Sequence, residues 1–337
     1  MNVWITGGAG YIGSTIAHMC RAYGITPVVI DDLSSGHAEV TAHLPFYLGD
    51  FADLQLLRRI VTDHGRPRVV VHAAGLISAG ASMTEPMAYY QTNVTKTLRL
   101  CEFLIEIGCP RLVVESSAAV YGDCTVPIVD EQAAARPVSP YAYSKYALER
   151  MLCDVAAVHQ LQVVCLRLFN VVGFGDGLPR HRSSRDVLSQ LQNADKHGEP
   201  FKIYGTDWPT VDGTALRDFV HVEDVARAHM SLITAADWRV HGTFDVLNLA
   251  TGVGTTVRQL LGLYQSLRTA PVRLVEAGRR PGDIAGFVGD PARARRLLGW
   301  SPTLALSDAM SQHRRVQSGG DAAHLRASVA STVDSKR

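Results

Sequence analysis

The stretch Met1-Asn2-Val3-Trp4-Ile5-Thr6-Gly7-Gly8-Ala9-Gly10-Tyr11-Ile12-Gly13 decides the fold. Its first six residues read as a short, largely apolar strand that runs straight into a G-x-x-G-x-x-G turn. Gly7, Gly10 and Gly13, with Tyr11 and Ile12 between the last two, let the turn tighten and let backbone approach a pyrophosphate at a helix N-terminus. A second apolar run, Thr26-Pro27-Val28-Val29-Ile30, ends in Asp31-Asp32, and Asp31 lies eighteen residues after Gly13. A carboxylate there accepts hydrogen bonds from both adenosine ribose hydroxyls and repels the phosphate of NADP. Strand, glycine spacing and terminal acid together predict a site for NAD.

Outward from this unit, strand and helix patterns alternate. Leu44 to Gly49 reads as a strand ending at Asp50-Phe51, Ala52 to His64 as a helix, and Arg68 to His72 as a strand. That strand opens into Ala73-Ala74-Gly75, whose small side chains let a cofactor lie against the backbone. Tyr89 to Ile107 has helical spacing and carries Asn93; Arg111 to Val114 is a strand before Glu115-Ser116-Ser117. Tyr141 to His159 is helical, and Gln162 to Leu168 is a strand closing at Phe169-Asn170. Such alternation is the mark of a parallel sheet covered on both faces.

Beyond Asn170 the character changes. Residues 173–185 are rich in Gly, Pro, Arg and Ser, as in a loop over a site. A helix at Val187 to Lys196, a strand at 201–205, a polar loop at Thr210 to Arg217 and a helix at Glu223 to Ala235 follow. Phe244 to Leu249 returns to strand, and Pro291 to Leu298 reads as a basic amphipathic helix. The fold class is therefore α/β: a modified Rossmann fold with a parallel sheet over residues 1–170 and a smaller C-terminal substrate-binding lobe over most of 171–310. Segments near 217–235 and 243–250 are expected to return to the larger part. Residues 317–337, rich in Ser and Ala, read as a disordered tail.

Composition removes several classes of function. With 337 residues and a formal net charge of +1, nothing electrostatic calls for nucleic acid or an acidic membrane. No run has the length of a membrane span, and with the first strand beginning at Val3 no signal peptide is expected. Six scattered cysteines, none in a C-x-x-C pair, fit free thiols in a reducing cytoplasm. No histidine cluster has metal-ligand spacing, so no metal is expected.

The chemistry lies further on. Tyr141 and Lys145 are four apart at the start of a helix and so share a face. An ammonium beside a phenol favours the phenolate, which can take a hydroxyl proton while a hydride leaves the same carbon for NAD. Ser117, at the end of its strand, can hydrogen-bond that hydroxyl.

With Thr6 to Gly13, Ala73-Ala74-Gly75-Leu76, Ser116 to Gly122, Ser139 to Lys145, Arg167 to Asn170, Asp212 to Val222 and Arg279 to Asp283, the sequence resembles the extended short-chain dehydrogenase/reductase family. Within it, the resemblance is to the NAD-dependent epimerase/dehydratase group and its UDP-galactose 4-epimerases, and it runs from Met1 to about Trp300. It implies a UDP-sugar substrate, retained NAD, and Tyr141 as the base at the sugar 4-hydroxyl, with Lys145 on the nicotinamide ribose. Asp31, Asp50 and Phe51 match adenosine-side residues, and Asn93 a cofactor-side asparagine. Asn170, Tyr204, Arg217, Arg280 and Asp283 match substrate-side positions around the nucleotide. Phe287 falls where the family sets pocket width, and a bulky aromatic there predicts poor use of UDP-N-acetylglucosamine. The helices from Tyr89 and Tyr141 resemble those that pair in a homodimer.

Four departures qualify the resemblance. Ile77 stands where a lysine is usual, Glu115 where a third serine is usual, and Val171 where a proline follows Asn170. The run Leu178 to Arg185 places three arginines and His181 in a loop that usually carries an Asn-Leu pair. That loop is either solvated or brings Arg182 to an extra negative charge, such as a C6 carboxylate. Ala118-Ala119 after Ser117 lacks the Asp-Glu pair of a 4,6-dehydratase. A uronate 4-epimerase or decarboxylase, a freely exchanging dehydrogenase and a silent NAD-binding sensor or scaffold remain as alternatives.

Overall fold

The computed structural model describes residues 1–124, 126–175, 187–238, 242–268, 271–280 and 282–317. Seven parallel strands form its main sheet: β1 (Val3–Thr6), β2 (Val28–Asp31), β3 (Phe46–Leu48), β4 (Val69–His72), β5 (Arg111–Ser117), β7 (Gln162–Leu168) and β11 (Phe244–Leu249). Their order is β11-β7-β5-β4-β1-β2-β3, so the chain steps outward from β1 in one direction and resumes on its other side at β4. A crevice opens at the carboxyl ends of strands where the order reverses, here β1 and β4.

Near-continuous runs of Val, Ile and Leu build these strands because both faces are buried. Val3, Ile5, Val71, Val113 and Leu247 point to one face, where α1 (Tyr11–Ala22) and α8 (Val222–Thr234) pack. Trp4, Ile30, Val70 and Leu112 point to the other, under α2 (Leu54–His64), α5 (Lys96–Glu106) and α6 (Pro140–Val158).

The helix expected from Tyr89 begins earlier. After a single turn, α3 (Ala79–Ser82), α4 (Pro86–Tyr90) passes through a π turn (Gln91–Thr95) into α5. Pro86 at the first helical position sets the start, and the widened turn lies where Asn93 projects. An α-helical spacing rule cannot register such a turn.

The remaining elements are smaller. β8 (Asn170–Val172) pairs in parallel with β10 (Leu216–His221), which pairs antiparallel with β12 (Gly254–Thr256). β9 (Phe201–Tyr204) pairs with β13 (Leu274–Ala277), and β14 (Val288–Gly289) pairs with β6 (Ile128–Val129). A separate core gathers Leu188 and Leu191 of α7 (Val187–His197), Leu260 and Tyr264 of α9 (Val257–Ser266), and Met310 of α11 (Leu306–Gln317). The basic helix α10 (Ala292–Leu298) covers β11. Arg217, expected at the end of a loop, is on strand β10. The segment 217–235 divides: β10 joins the small sheet, while α8 lies on α1. Residues 318–337 lie outside the described residues.

Asp218 holds several of these pieces together. One carboxylate oxygen accepts from Thr251 N (2.9 Å) and Thr251 Oγ1 (2.6 Å), the other from Gly252 N (3.0 Å) and Gly289 N (3.3 Å). Thus β10 is tied to the turn after β11 and to β14. Asp218→Ala strands these donors in a buried site, and a loss of about 2–4 kcal/mol is expected in urea unfolding.

Candidate active site

Two turns that are far apart in sequence touch at the crevice. Gly7 adopts φ +70°, and a Cβ there would sit 2.5 Å from Ala74 N, in the turn that follows β4. A Cβ on Gly13 would collide with the Gly7 carbonyl oxygen, so the start of α1 can pack on its own turn only with glycine. Gly10 N donates to Gly7 O at 3.0 Å and closes the loop. The first helical N–H groups here have no side-chain cap, the arrangement an anionic pyrophosphate completes.

Asp31 and Asp32 separate in space. Asp31 is buried, its carboxylate accepting from Ala9 N (2.9 Å) and Leu33 N (2.8 Å); Asp32 is exposed and caps Ser34 N at 2.9 Å. Burial raises the pKa of Asp31, and those two backbone donors oppose the rise. Asp50 accepts from Ala52 N (2.9 Å) and pairs with Lys96 at 2.5 Å, a partner the sequence reading missed. Phe51 packs edge-on against His72, with ring centroids 4.8 Å apart. His72 itself bridges Thr6 Oγ1 (2.7 Å) and Thr97 Oγ1 (2.9 Å), and burial pushes it down to about 3, so the ring stays neutral. It was legible only as a strand end.

Asn93, expected on the cofactor side, makes three hydrogen bonds within the protein. Its Oδ1 accepts from Leu76 N (2.9 Å), and its Nδ2 donates to Leu76 O (3.0 Å) and Ser144 Oγ (2.9 Å). The Ala73-Ala74-Gly75 turn is thereby clamped to α6, with Gly75 beside the Asn93 amide and the Lys145 ammonium. Ile77, the position of a missing lysine, is 69% exposed. Tyr11 donates its hydroxyl to Gly173 O at 2.7 Å, and Ile12 packs against the core beneath.

Helix α6 starts with Ser139 capping Ala142 N (3.2 Å) and Pro140 in its first turn. Tyr141 and Lys145, one turn apart, are both buried. Lys145 Nζ donates to the Glu115 carbonyl at 2.7 Å, which pins α6 to the end of β5. Burial pushes the Tyr141 phenol up to about 12; a hydrogen bond with Ser117 counteracts this, while the charge of Glu115 and the neighbouring Tyr89 add to it. Tyr89 stands edge-on at 6.2 Å. The sequence reading expected Lys145 to bring the phenol down. In the protein by itself burial outweighs that, and Lys145, whose own pKa burial lowers, spends its bond on Glu115 O.

Behind this face lies a polar network. Ser116 Oγ donates to Glu149 Oε1 (2.5 Å), and Arg167 grips both Glu149 oxygens at 3.0 and 2.7 Å. Arg167 lies 4.8 Å over the Tyr121 ring, whose hydroxyl donates to Asn248 Oδ1 at 2.6 Å. Glu149, four residues after Lys145, could have been found from helical spacing.

Of the residues expected on the substrate side, Arg217 donates to the carbonyls of Leu216 (2.7 Å) and Ile284 (3.3 Å). Burial lowers its pKa, and Asp283 raises it. Arg280 pairs with Asp283 at 2.8 Å and stacks 4.4 Å over Tyr204. These four residues are brought together; Asn170 is exposed at the start of β8. Phe287 is buried edge-on between Tyr121 (5.7 Å) and Phe169 (6.0 Å). Arg182, with residues 176–186, lies outside the described residues. Among the described residues there is no cluster of metal-ligating side chains, and no helix is long and apolar enough to cross a membrane.

Residues 3–250 match the NAD dependent epimerase/dehydratase family. The chain is 36% identical to a UDP-glucose 4-epimerase of Rhizobium meliloti (strain 1021) over 328 residues, covering 95% of this chain and 99% of that one. It superposes on UDP-glucose-4-epimerase from Stenotrophomonas maltophila, with bound NAD and formylated UDP-arabinopyranose, at a TM-score of 0.86. Identity there is 32%, over 95% of this chain and 99% of the other. MoeE5 in complex with UDP-glucuronic acid and NAD is similar at a TM-score of 0.80 and 32% identity, over 93% and 97% of the two chains. The chain belongs to the NAD dependent epimerase/dehydratase family.

Gly13→Ala tests the cradle directly. The variant is expected to fold but to retain NAD at least about tenfold less tightly, read as dinucleotide released on denaturing the purified protein.

Proposed function

We propose that the chain catalyses NAD-dependent C4 epimerisation of a UDP-sugar, interconverting UDP-glucose and UDP-galactose. The observation that carries this reading is the convergence of Tyr141, Ser117 and Lys145 beside the crevice formed by the Gly7 and Ala73–Gly75 turns. When bound, NAD supplies the acceptor and donor of the C4 hydride. Gly7, Gly10 and Gly13, with Tyr11 and Ile12, hold its pyrophosphate, and Asp31 its adenosine ribose, with Asp32 at the rim. Asp50, Phe51, Ala73, Ala74, Gly75 and Asn93 line the rest of its path.

Tyr141 takes the proton of the sugar 4-hydroxyl and later returns it. Ser117 bonds the same oxygen and fixes its direction. Lys145 bonds the nicotinamide ribose, and its positive charge, together with that of oxidised nicotinamide, offsets the burial that otherwise keeps Tyr141 protonated. Arg217 and Arg280 pair with diphosphate oxygens, Asp283 accepts from the uridine ribose, and Tyr204 offers a flat face to the base. Asn170 and Phe287 complete the sugar pocket. In domain terms, residues 1–170 with the later returning segments hold the cofactor, and most of 171–310 holds the substrate.

A homodimer and a cytoplasmic location belong to the same reading. Met87 (83% exposed) and Tyr90 (41%) on α4, and Tyr143 (51%) on α6, are exposed apolar side chains on two helices that pack together. The six cysteines are free, as a reducing compartment requires. Sedimentation at micromolar concentration is expected to give twice the chain mass, and Met87→Glu with Tyr143→Glu to give the monomer. A wild-type monomer rejects this assembly.

The decisive assay incubates purified protein with UDP-galactose, without added NAD, and separates the product sugar nucleotides. UDP-glucose is expected from the wild type, with kcat lowered about 10²–10⁴-fold in Tyr141→Phe. UDP-glucuronate is run in parallel, because MoeE5 binds UDP-glucuronic acid and the segment 178–185 of this chain carries three arginines. Selective turnover of the uronate moves the substrate assignment to that sugar. No turnover of either, with NAD bound, favours a sensor or scaffold.

A further inference from the structure

Glu115 is a buried acid in the wall of the site, at a strand position where serine was expected. Alternation along β5 sends Ser116 toward Glu149 on α6 and Glu115 to the opposite face, toward α8. There its Oε1 lies 4.0 Å from Nε2 of His229, which is fully buried. His229 Nδ1 is 2.9 Å from the Val225 carbonyl, which can only accept, so Nδ1 carries the hydrogen. In the neutral ring Nε2 then presents a lone pair to Glu115. Among the described residues neither Glu115 Oε1 nor His229 Nε2 has a hydrogen-bond partner. At 4.0 Å the two atoms are too far apart for a direct hydrogen bond. Two buried polar atoms that lack partners and face each other nonetheless fit a single proton resident on one of them.

We propose that Glu115 and His229 hold one proton between them as a buried pair, and that the charge of this pair tunes the Tyr141–Lys145 couple across the end of β5. Glu115 is thus a positioning residue. The link to the couple is short, because Lys145 Nζ donates to the carbonyl of Glu115 itself. The groups that bear on the pair and the couple are Lys145, Tyr141 and Glu149 on α6, Cys165 on β7, Tyr89 on α4 and His229 on α8.

Burial pushes the Glu115 carboxyl up, against the pull of the Lys145 ammonium, and pushes His229 down to about 4. The proton therefore rests on Glu115 near neutral pH, and the pair is uncharged. When it leaves at higher pH, the new carboxylate keeps Lys145 protonated and opposes ionisation of Tyr141. A serine at this position has no such charge to switch.

The inference rests on Tyr141 and Lys145 being the acid–base couple, and two readouts keep the two ideas apart. The first is the melting temperature of the NAD-bound protein from about pH 6 to about pH 10, for wild type, Glu115→Gln and Glu115→Ser. The folded state holds a proton on Glu115 that the unfolded chain has already lost, so this stability is lost as pH rises through the folded value. Wild type is expected to fall relative to both variants as pH rises to the folded value, about 8, and to run parallel to them above it. The second is kcat and KM for UDP-galactose over the same range. In the variants the rise of kcat with pH is expected about one pH unit lower, with KM little changed.

A pH-independent difference in melting temperature overturns the single proton of the pair. Unchanged kcat profiles with active variants overturn the coupling. Loss of all turnover in the wild type, with the melting signature intact, overturns the epimerase reading and leaves the pair standing. Glu115→Ser keeps the test available if Glu115→Gln does not fold.

Discussion

Glu149 and Arg167 meet in a two-pronged ion pair that is almost wholly shielded from water beneath α6. Taking both charges out of water costs about as much as their attraction returns, so the pair is a poor source of net stability. Its consequence is geometric. Glu149 also accepts from Ser116, which fixes the end of β5 against α6 in one register. Once that register is set, Lys145 meets the Glu115 carbonyl, Ser144 meets the Asn93 amide, and Tyr141 comes beside Ser117. Four residues on successive turns of one helix therefore tie together β5, the π turn before α5 and, through Arg167 and Tyr121, Asn248 on β11.

Electrostatics in this wall are arranged against charge. Tyr141, Glu115 and His229 are all driven by burial toward their neutral forms, and Lys145 is driven the same way while remaining next to acceptors. Low dielectric magnifies whatever charge does enter. A phenol poised this way stays protonated until a positive charge arrives close by, which in the proposed reaction an oxidised nicotinamide would supply. The departures at Ile77 and Glu115 both subtract positive or add potential negative charge, and Ile77 stands out in solvent while Glu115 is inside. Of the two, Glu115 is the one placed to matter for the acid–base couple.

The first strand, its glycine turn and the buried strands of the main sheet were legible because a parallel strand covered on both faces leaves an unbroken apolar run. Tyr141, Lys145 and Ser117 were legible because helical spacing and a strand end locate them. Other features leave no such trace. The π turn at Gln91–Thr95 breaks the spacing by one residue, and β12, β13 and β14 are short ladders whose partners lie far away in sequence. Helix α9 was missed although Thr256 and Gln259 form a capping box, a signal that was there to be read. Asp31 and Asp32 looked equivalent in sequence; only the turn geometry turns one in and the other out. His72 and Lys96 act through partners, Thr6, Thr97 and Asp50, that no local pattern pairs with them.

Phe287, the residue expected to set pocket width, is held tightly. Its ring is wedged edge-on against Tyr121 and Phe169, and Tyr121 is in turn fixed by Asn248 and by Arg167 above its face. A ring so enclosed cannot swing aside without opening a void among Val120, Val129 and Ala250. The ring is therefore rigidly placed, and in the proposed epimerase reading extra bulk on the sugar would meet packing cost rather than a yielding side chain. The same ion pair that sets the register of Tyr141 thus also stiffens the aromatic cluster around Phe287.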